Sequence, residues 1–151
     1  MKRRKARELA LAFLYQMEIR DELNKFSEDV INSFLKEQGI EDEEIADFTR
    51  LLIKGTIKNL PCIDSKISEY SINWSIKRMP YIDRNIMRIA IYEMLFIDTI
   101  PELVSINEAI ELAKKYSTKE SPKFVNGILH RIKEEYAIKI KTAPVEEDGK
   151  R

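Results

Sequence analysis

The chain has 151 residues, 44% of them hydrophobic and 34% charged, which is enough apolar material for one domain with a substantial core. Its 26 basic and 26 acidic residues leave a net charge of zero, so any affinity for nucleic acid must come from a local patch. A single cysteine and a single histidine exclude an internal disulfide and a zinc site made of cysteine and histidine ligands.

Helical periodicity recurs along the sequence, and no segment alternates apolar with polar residues for long. We therefore predict an all-α fold, a bundle of about seven helices. The first helix is predicted over residues 4–20, with a core face of Ala6, Leu9, Ala10, Phe13, Leu14 and Met17. Its opposite side carries Arg4, Arg7, Leu11 and Tyr15.

The next three helices are bounded by local signals. Ser27 is predicted to cap the second helix, which ends at Gly39. The acidic residues 41–44 suit the positive end of the third helix dipole. Pro61 can open the fourth helix at its first turn, and residues 71–81 are predicted to connect two lobes.

A fifth helix, around residues 83–97, is apolar on most of its sides. One broad side is filled by Ile82, Ile86, Ile89, Ala90, Met94 and Ile97. Only a seam is polar, formed by Arg84, Arg88 and Tyr92. Such a helix is usually the buried centre of a bundle, and this one is too short and too often interrupted by charge to span a membrane. Asp83 is predicted to be its N-cap.

Two further helices follow the central one. Ser105 and Glu108 have the spacing of a capping box, in which each side chain satisfies the other's free amide, and they are predicted to open the sixth helix. Ser121 and Pro122 are predicted to cap and open the seventh helix.

The domain limits follow from these elements. Nothing apolar recurs over residues 141–151, which are predicted to be a disordered tail. Residues 1–140 are predicted to form a single helical domain, with lobes at about 1–72 and 81–140 on either side of the buried central helix.

Catalysis has little support in the sequence. His130 faces the polar side of its helix without an acid or nucleophile nearby, and Cys62 is predicted to be a buried thiol. The four glycines form no phosphate-cradling loop. We predict no catalytic residue, no cofactor and no metal site. The basic start is not followed by the apolar run of a secretory signal, so the predicted location is the cytoplasm.

The chain begins with a basic run, which consists of Lys2, Arg3, Arg4, Lys5 and Arg7. Taken alone, such a run is typical of a solvated chain end. Because Arg4, Arg7 and Tyr15 share the helix side away from the core, cations and an exposed aromatic ring are interleaved. That pairing favours single-stranded RNA, whose phosphates bind guanidinium groups and whose bases stack on tyrosine.

Phe124 lies about a quarter-turn from the centre of the apolar face of the last helix. It neighbours Lys123 and the polar loop of residues 117–120. The ring either packs under that loop or offers a second surface on which a base stacks. The sequence leaves both interpretations open.

The most distinctive blocks of the sequence are residues 104–114 (VSINEAIELAK) and 124–129 (FVNGIL), preceded by 4–8 (RKARE), 14–16 (LYQ) and 83–93 (DRNIMRIAIYE). In this order and at this separation they resemble the NusB family of bacterial transcription antitermination factors. The resemblance covers nearly the whole chain except its tail. It implies an all-helical bundle with two three-helix lobes.

The resemblance also implies binding of the boxA element in nascent ribosomal RNA leaders. The family binds boxA as a heterodimer with NusE, the small-subunit ribosomal protein, inside an antitermination complex on RNA polymerase. Residues that match the family's RNA-binding positions are Arg3, Arg4, Lys5, Arg7, Tyr15, Glu120, Lys123 and Phe124. Asp83 matches an acidic position associated with the partner side, although we prefer to explain it as a helix cap.

Two other functions stay open at this point. NusB-like domains also occur fused to ribosomal RNA methyltransferases, so the chain could be an RNA-recruiting module. A helical protein–protein adaptor would need no RNA contact at all. The free protein could be a monomer or a homodimer, since the resembling family is seen both ways.

Overall fold

The computed structural model describes residues 1–71 and 75–137, and within these ranges it contains seven α-helices and no β-strand. The helices are α1 (Lys2–Ile19), α2 (Glu28–Glu37), α3 (Glu43–Lys58), α4 (Leu60–Tyr70), α5 (Tyr81–Phe96), α6 (Glu102–Tyr116) and α7 (Ser121–Ile132). Short 3₁₀ turns occur at Leu23–Lys25 and Ile76–Arg78, and a π-helical turn at Lys133–Ala137. The all-α prediction is confirmed. The predicted tail, residues 141–151, lies outside the described residues, and the division into two lobes stays a prediction.

Several helix ends follow from the side chains beside them. The Ser27 hydroxyl accepts the backbone N–H of Val30 at 3.2 Å, so the predicted cap of α2 is confirmed. Just after α2, Gly39 has φ +72°, a conformation that costs glycine least. The Asp42 carboxylate accepts the N–H of Glu44 at 2.9 Å and caps α3. Pro61 lies in the first turn of α4, as predicted.

Three other predicted caps are wrong. Pro80 and Pro101 directly precede α5 and α6, which therefore begin earlier than predicted. Asp83 and Ser105 consequently lie inside their helices, and Ser121 is the first residue of α7 rather than the residue before it. All three side chains are buried and bond to residues distant in the sequence.

α5 is the buried centre of the fold. Every residue from Asp83 to Leu95 is buried, including the predicted polar seam of Arg84, Arg88 and Tyr92. The prediction of a buried central helix is confirmed, and the burial is more complete than the apolar pattern alone suggested. Charged residues of α5 must therefore find partners on the helices that surround it.

α1 lies antiparallel to α5. Arg7, near the start of α1, bonds to Glu93 near the end of α5, with Nε and Oε2 2.7 Å apart. Glu18, near the end of α1, pairs with Arg84 at 2.8 Å and with Arg88 at 3.0 Å, both in the first half of α5. α1 therefore follows α5 over most of its length.

α6 also runs antiparallel to α5. Ser105, at the start of α6, donates its hydroxyl to Glu93 at 2.6 Å. Ser117, directly after the end of α6, donates to Asp83 near the start of α5. Because α1 and α6 both oppose α5, they run parallel to each other.

Of the glycines in α3 and α7, one lies where two helices approach closely and the other does not. A β-carbon at Gly55 of α3 would overlap the Tyr92 ring of α5, so only glycine fits at this crossing. Gly127 of α7, by contrast, is exposed, and a β-carbon there would meet nothing within 4 Å. The predicted burial of Cys62 is also wrong, since that residue is exposed on α4.

Candidate nucleic-acid interface

The start of α1 carries four exposed cations, Lys2, Arg3, Arg4 and Lys5. The Arg3 guanidinium lies 4.7 Å from the centroid of the Phe48 ring of α3. The Lys2 ammonium lies 3.1 Å from Asp42 and 3.0 Å from Glu44 at the start of α3. The hydrogen bond from Lys2 is the main reason that the pKa of Asp42 falls below its ordinary value. Lys2 and Arg3 therefore lie on the α3 side of the helix.

Arg4 faces α6 instead. Its guanidinium donates two hydrogen bonds to Glu108, at 2.9 and 2.8 Å, while its side chain stays 44% exposed. These hydrogen bonds lower the pKa of Glu108, which burial alone would raise. Glu108 is therefore held as a carboxylate, and Arg4 keeps an open side on which a second anion could bind.

Arg7 does not project from the open side of α1, and that prediction is wrong. Its guanidinium is enclosed, with 5% of the side chain exposed, and it binds Glu93 through two hydrogen bonds of 2.7 and 2.8 Å. Glu93 also accepts the Ser105 hydroxyl. A carboxylate on a buried central helix needs a cation and hydrogen-bond donors beside it, and Arg7 and Ser105 supply them.

The sequence contained one signal for the cluster of Arg7, Glu93 and Ser105. Glu93 is an acid within an otherwise apolar stretch of α5, and a charge in such a position requires a partner. The basic residues of α1 were available candidates, but a helical wheel cannot tell which of them meets α5. Glu93 and Ser105 were therefore missed as residues that hold the basic helix in place.

A second contact joins α1 and α6 further along. The Lys115 ammonium lies 2.8 Å from Glu8, and its pKa is raised first of all by that hydrogen bond. Arg4, Glu8, Glu108 and Lys115 line one groove between the two parallel helices. The side chain of Lys115 is 59% exposed, so α6 adds a cation to the surface that α1 begins.

Tyr15 lies toward the far end of this surface. It is half-buried, and its ring packs edge to face against Tyr81, with centroids 6.5 Å apart and planes at 73°. Tyr81 is the first residue of α5 and is 38% exposed. Eleven residues of helix separate Arg4 from Tyr15, a distance of about 16 Å along the axis.

Asp83 anchors the loop between α6 and α7 rather than a helix end. It is 2% exposed and accepts hydrogen bonds from the hydroxyls of Ser117 and Ser121. The Ser121 hydroxyl also lies 2.9 Å from that of Thr118. The predicted partner-side carboxylate is thus not at the surface, and it can influence a partner only through the position of this loop.

The loop leads to the remaining predicted residues. Glu120 and Lys123 are exposed, directly before and within the first turn of α7. Phe124 is half-buried and packs against the edge of the core. Phe124 therefore packs against the core and also presents part of its ring to solvent.

These contacts place the predicted residues around the first turn of α5 and along α1. Tyr15 meets Tyr81 at the start of α5, and Asp83, two residues later, holds the loop that leads into α7, the helix that carries Phe124. Arg4 and Lys115 continue the surface toward the start of α1. The arrangement can offer cations to phosphates and rings to unpaired bases.

Other kinds of site find no support in the described part of the chain. Residues 1–71 and 75–137 contain no group of three or more acidic, histidine or cysteine side chains placed to hold a metal ion. Within the same ranges no helix is both long and apolar enough to cross a membrane. His130 is half-buried on α7.

The fold and its surface define a class of small helical bundles in which a basic helix start lies beside aromatic rings. Residues 4–134 match the model of the NusB family. The chain belongs to the NusB family, as its sequence blocks predicted.

Relatives of known name agree with this assignment. The chain is 48% identical over 142 residues to the transcription antitermination protein NusB of Thermodesulfovibrio yellowstonii, which covers 89% of this chain and 93% of that protein. It is 45% identical over 141 residues to the protein of the same name from Fervidobacterium nodosum, covering 93% and 96%.

Solved structures share the fold. T. maritima NusB superposes with a TM-score of 0.79 at 42% identity, covering 89% of this chain and 92% of that one. A chain from the crystal structure of antitermination factors NusB and NusE in complex with double-stranded RNA also has a TM-score of 0.79, at 27% identity, covering 89% and 98%. The seven-helix architecture is therefore that of NusB structures.

Proposed function

We propose that this chain binds boxA RNA of nascent ribosomal RNA transcripts together with NusE, as a non-catalytic antitermination factor in a complex on RNA polymerase. The observation that carries the proposal is a groove lined by the exposed Arg4 and Lys115, followed about three turns after Arg4 on the same side of α1 by the half-buried ring of Tyr15. The similarity to a NusB chain crystallised with NusE and RNA supports the same partners.

Phosphate binding falls to the exposed cations. Arg3, Arg4, Lys5 and Lys123 are all at the surface, where a phosphate can replace water or a neighbouring carboxylate. Arg4 already presents its planar guanidinium to the two oxygens of Glu108. A phosphate offers a similar pair of oxygens, so it can compete with Glu108 for that guanidinium.

Base recognition falls to the rings and the loop. Tyr15 and Phe124 provide partly exposed rings on which unpaired bases stack. The exposed Glu120 carboxylate can accept hydrogen bonds from base amino groups. Arg7 acts indirectly, because its bond to Glu93 holds α1 at a fixed angle to α5 and α6.

NusE is proposed as the protein partner, and Asp83 is proposed to affect that partner through the loop it anchors. The Asp83 carboxylate fixes Ser117 and Ser121, and the residues between them are exposed. A rigid loop loses less conformational entropy on binding than a mobile one.

The test is a fluorescence-anisotropy titration of boxA RNA and of a scrambled RNA of equal length and composition, each with and without NusE and at two salt concentrations. We expect tighter binding to boxA, further strengthening by NusE, and a salt dependence that reflects several phosphate contacts. Equal and weak binding of both RNAs, unaffected by NusE, would overturn the proposal and favour a protein–protein adaptor.

A further inference from the structure

Next to the Tyr15 ring, Tyr81 and two further cations form a second group at the start of α5. Tyr81, the first residue of α5, is 38% exposed. Lys77 and Arg78, in the 3₁₀ turn that precedes α5, are both exposed. Neither the basic run of α1 nor the blocks shared with the family include these three residues.

Buried Arg84 holds this group in position. Its guanidinium lies 4.2 Å from the centroid of the Tyr81 ring, and its Nη1 donates to the backbone oxygen of Ile76 at 2.6 Å. Its Nη2 lies 2.8 Å from Glu18 of α1. One side chain thus joins the ring, the 3₁₀ turn and α1, so the group is ordered before any ligand binds.

The same group borders Tyr15. The Tyr15 and Tyr81 rings meet at 73° with their centroids 6.5 Å apart, which forms a corner between two aromatic surfaces. A planar base in this corner would stack on one ring and contact the edge of the other. Lys77 and Arg78, exposed in the 3₁₀ turn just before Tyr81, add positive charge next to the corner in the chain.

We propose that the RNA surface continues past Tyr15 onto Tyr81, Lys77 and Arg78. Tyr81 contacts an unpaired base next to the one at Tyr15, and the two cations bind the phosphates that follow it. The inference rests on the proposed function, since it extends the path of the same RNA. Cations beside an aromatic ring are the chemistry that binds the phosphates and stacks the bases of single-stranded nucleic acid.

The variants separate stacking from packing. Tyr81→Leu keeps apolar volume but removes the ring, Tyr81→Phe keeps the ring, and Lys77→Ala with Arg78→Ala removes two charges. Phe96→Leu is the matched control, because Phe96 is the last residue of α5, is 37% exposed and stacks on Tyr92.

The charge control is Lys36→Ala. Lys36 is exposed and belongs to α2, which meets α1 through the contact of Phe34 with Phe13. Phe13 lies on the side of α1 opposite Tyr15, since two residues of helix turn through about 200°. Lys36 is therefore remote from the proposed path.

The probes are boxA RNA and a series of the same RNA with one abasic nucleotide at each position in turn. We expect Tyr81→Leu to weaken binding about five-fold or more, and Tyr81→Phe and Phe96→Leu to leave it close to the unaltered protein. The abasic position that matters to Tyr81 should weaken the unaltered protein but have no added effect on Tyr81→Leu. The double variant Lys77→Ala with Arg78→Ala should reduce the slope of log affinity against log salt by up to about 1.4, and Lys36→Ala should leave that slope unchanged.

Unaltered affinity, abasic profile and salt slope in the Tyr81 and Lys77/Arg78 variants would overturn the extension while the proposed function stood. Failure of the unaltered protein to bind boxA RNA would overturn both. Thermal unfolding of each variant identifies any loss of fold, and the abasic profile remains informative for a destabilised variant because it compares RNAs on one protein.

Discussion

The ion pair between α1 and the buried helix α5 differs in solvent exposure from the ion pairs at the surface between α1 and α6. We call that surface the rim. The Arg7–Glu93 pair is enclosed, with 5% and 1% of the two side chains exposed. Arg4 lies about one turn before Arg7 on α1. It also binds a glutamate, Glu108, yet 44% of its side chain is exposed. Lys115, which pairs with Glu8 on the rim, is 59% exposed.

Burial, rather than residue type, therefore decides whether a charged side chain stabilises the fold or is available to a ligand. An enclosed pair cannot be replaced by water, so loss of one partner leaves an uncompensated charge in the interior. A rim pair exchanges its partner for water, salt or a phosphate at little cost. Arg7 therefore serves the fold, and Arg4 is available to a ligand.

The sharpest test of the interior side is Glu93→Ala. The enclosed Arg7 would lose both hydrogen bonds to its carboxylate and keep only the longer contact with Glu108, at 3.8 Å, and Ser105 would lose its acceptor. We therefore expect a loss of about 3 kcal/mol in the free energy of unfolding. Urea denaturation followed by circular dichroism measures it. The double variant Arg7→Met with Glu93→Leu removes both charges and should recover most of the stability. If Glu93→Ala unfolds at the urea concentration of the unaltered protein, the pair does not hold α1 on α5.

Gly55→Ala and Gly127→Ala compare a buried position on α3 with an exposed position on α7. The added methyl at Gly55 overlaps the Tyr92 ring, and the shift that relieves the overlap should cost about 1–3 kcal/mol of unfolding free energy. At Gly127 the methyl meets nothing, so the helix should gain up to about 1 kcal/mol. The same urea measurement serves both variants. Equal effects at the two glycines would contradict the close approach of α3 and α5.

Which parts of the fold are predictable depends on how far away the partner of each residue lies. Apolar periodicity predicts α1 and α5 because each helix buries a face that its own sequence defines. The cap at Ser27 is predictable because it bonds to Val30, three residues away. The caps predicted for Asp83 and Ser105 are wrong because α5 and α6 begin earlier, directly after Pro80 and Pro101. The main partners of Asp83, Ser105 and Ser121 lie 12 or more positions away, beyond any local window.

The same limit applies to the candidate site. The exposed cations Arg3, Arg4 and Lys5 follow directly from the basic start of a helix. Arg7 could not be separated from them, since its burial depends on Glu93, 86 positions away. The corner between Tyr15 and Tyr81 was likewise not predictable, because the antiparallel packing of α1 on α5 creates it.

Asp83→Ala tests an interior contact that positions a surface loop. The hydroxyls of Ser117 and Ser121 would lose their shared acceptor but can still bond to each other across 2.8 Å. We therefore expect the free energy of unfolding to fall by about 1–2 kcal/mol, with faster amide hydrogen exchange over residues 117–121. Exchange rates equal to those of the unaltered protein would show that Asp83 does not anchor the loop.

Glu108→Gln tests the rim, and here we expect the smallest change in stability. The hydrogen bonds from Arg4 hold the pKa of Glu108 below its ordinary value of 4.5, so the folded state binds this proton less readily than the unfolded state. The contribution of the pair is fully present above the ordinary pKa and disappears as the pH falls through the lowered one. Urea midpoints measured across this acidic range should converge for the two proteins at the low end.

At neutral pH, Glu108→Gln should strengthen RNA binding, although it removes a contact that stabilises the fold. With glutamine at position 108 the negative charge beside Arg4 is gone, so a phosphate no longer competes with a carboxylate for that guanidinium. We expect Glu108→Gln to bind boxA RNA more tightly, with a salt slope steeper by up to about one unit. If affinity and slope both fall, the Arg4–Glu108 pair is part of the fold in the way that Arg7–Glu93 is, and the division between interior and rim charges on α1 is wrong.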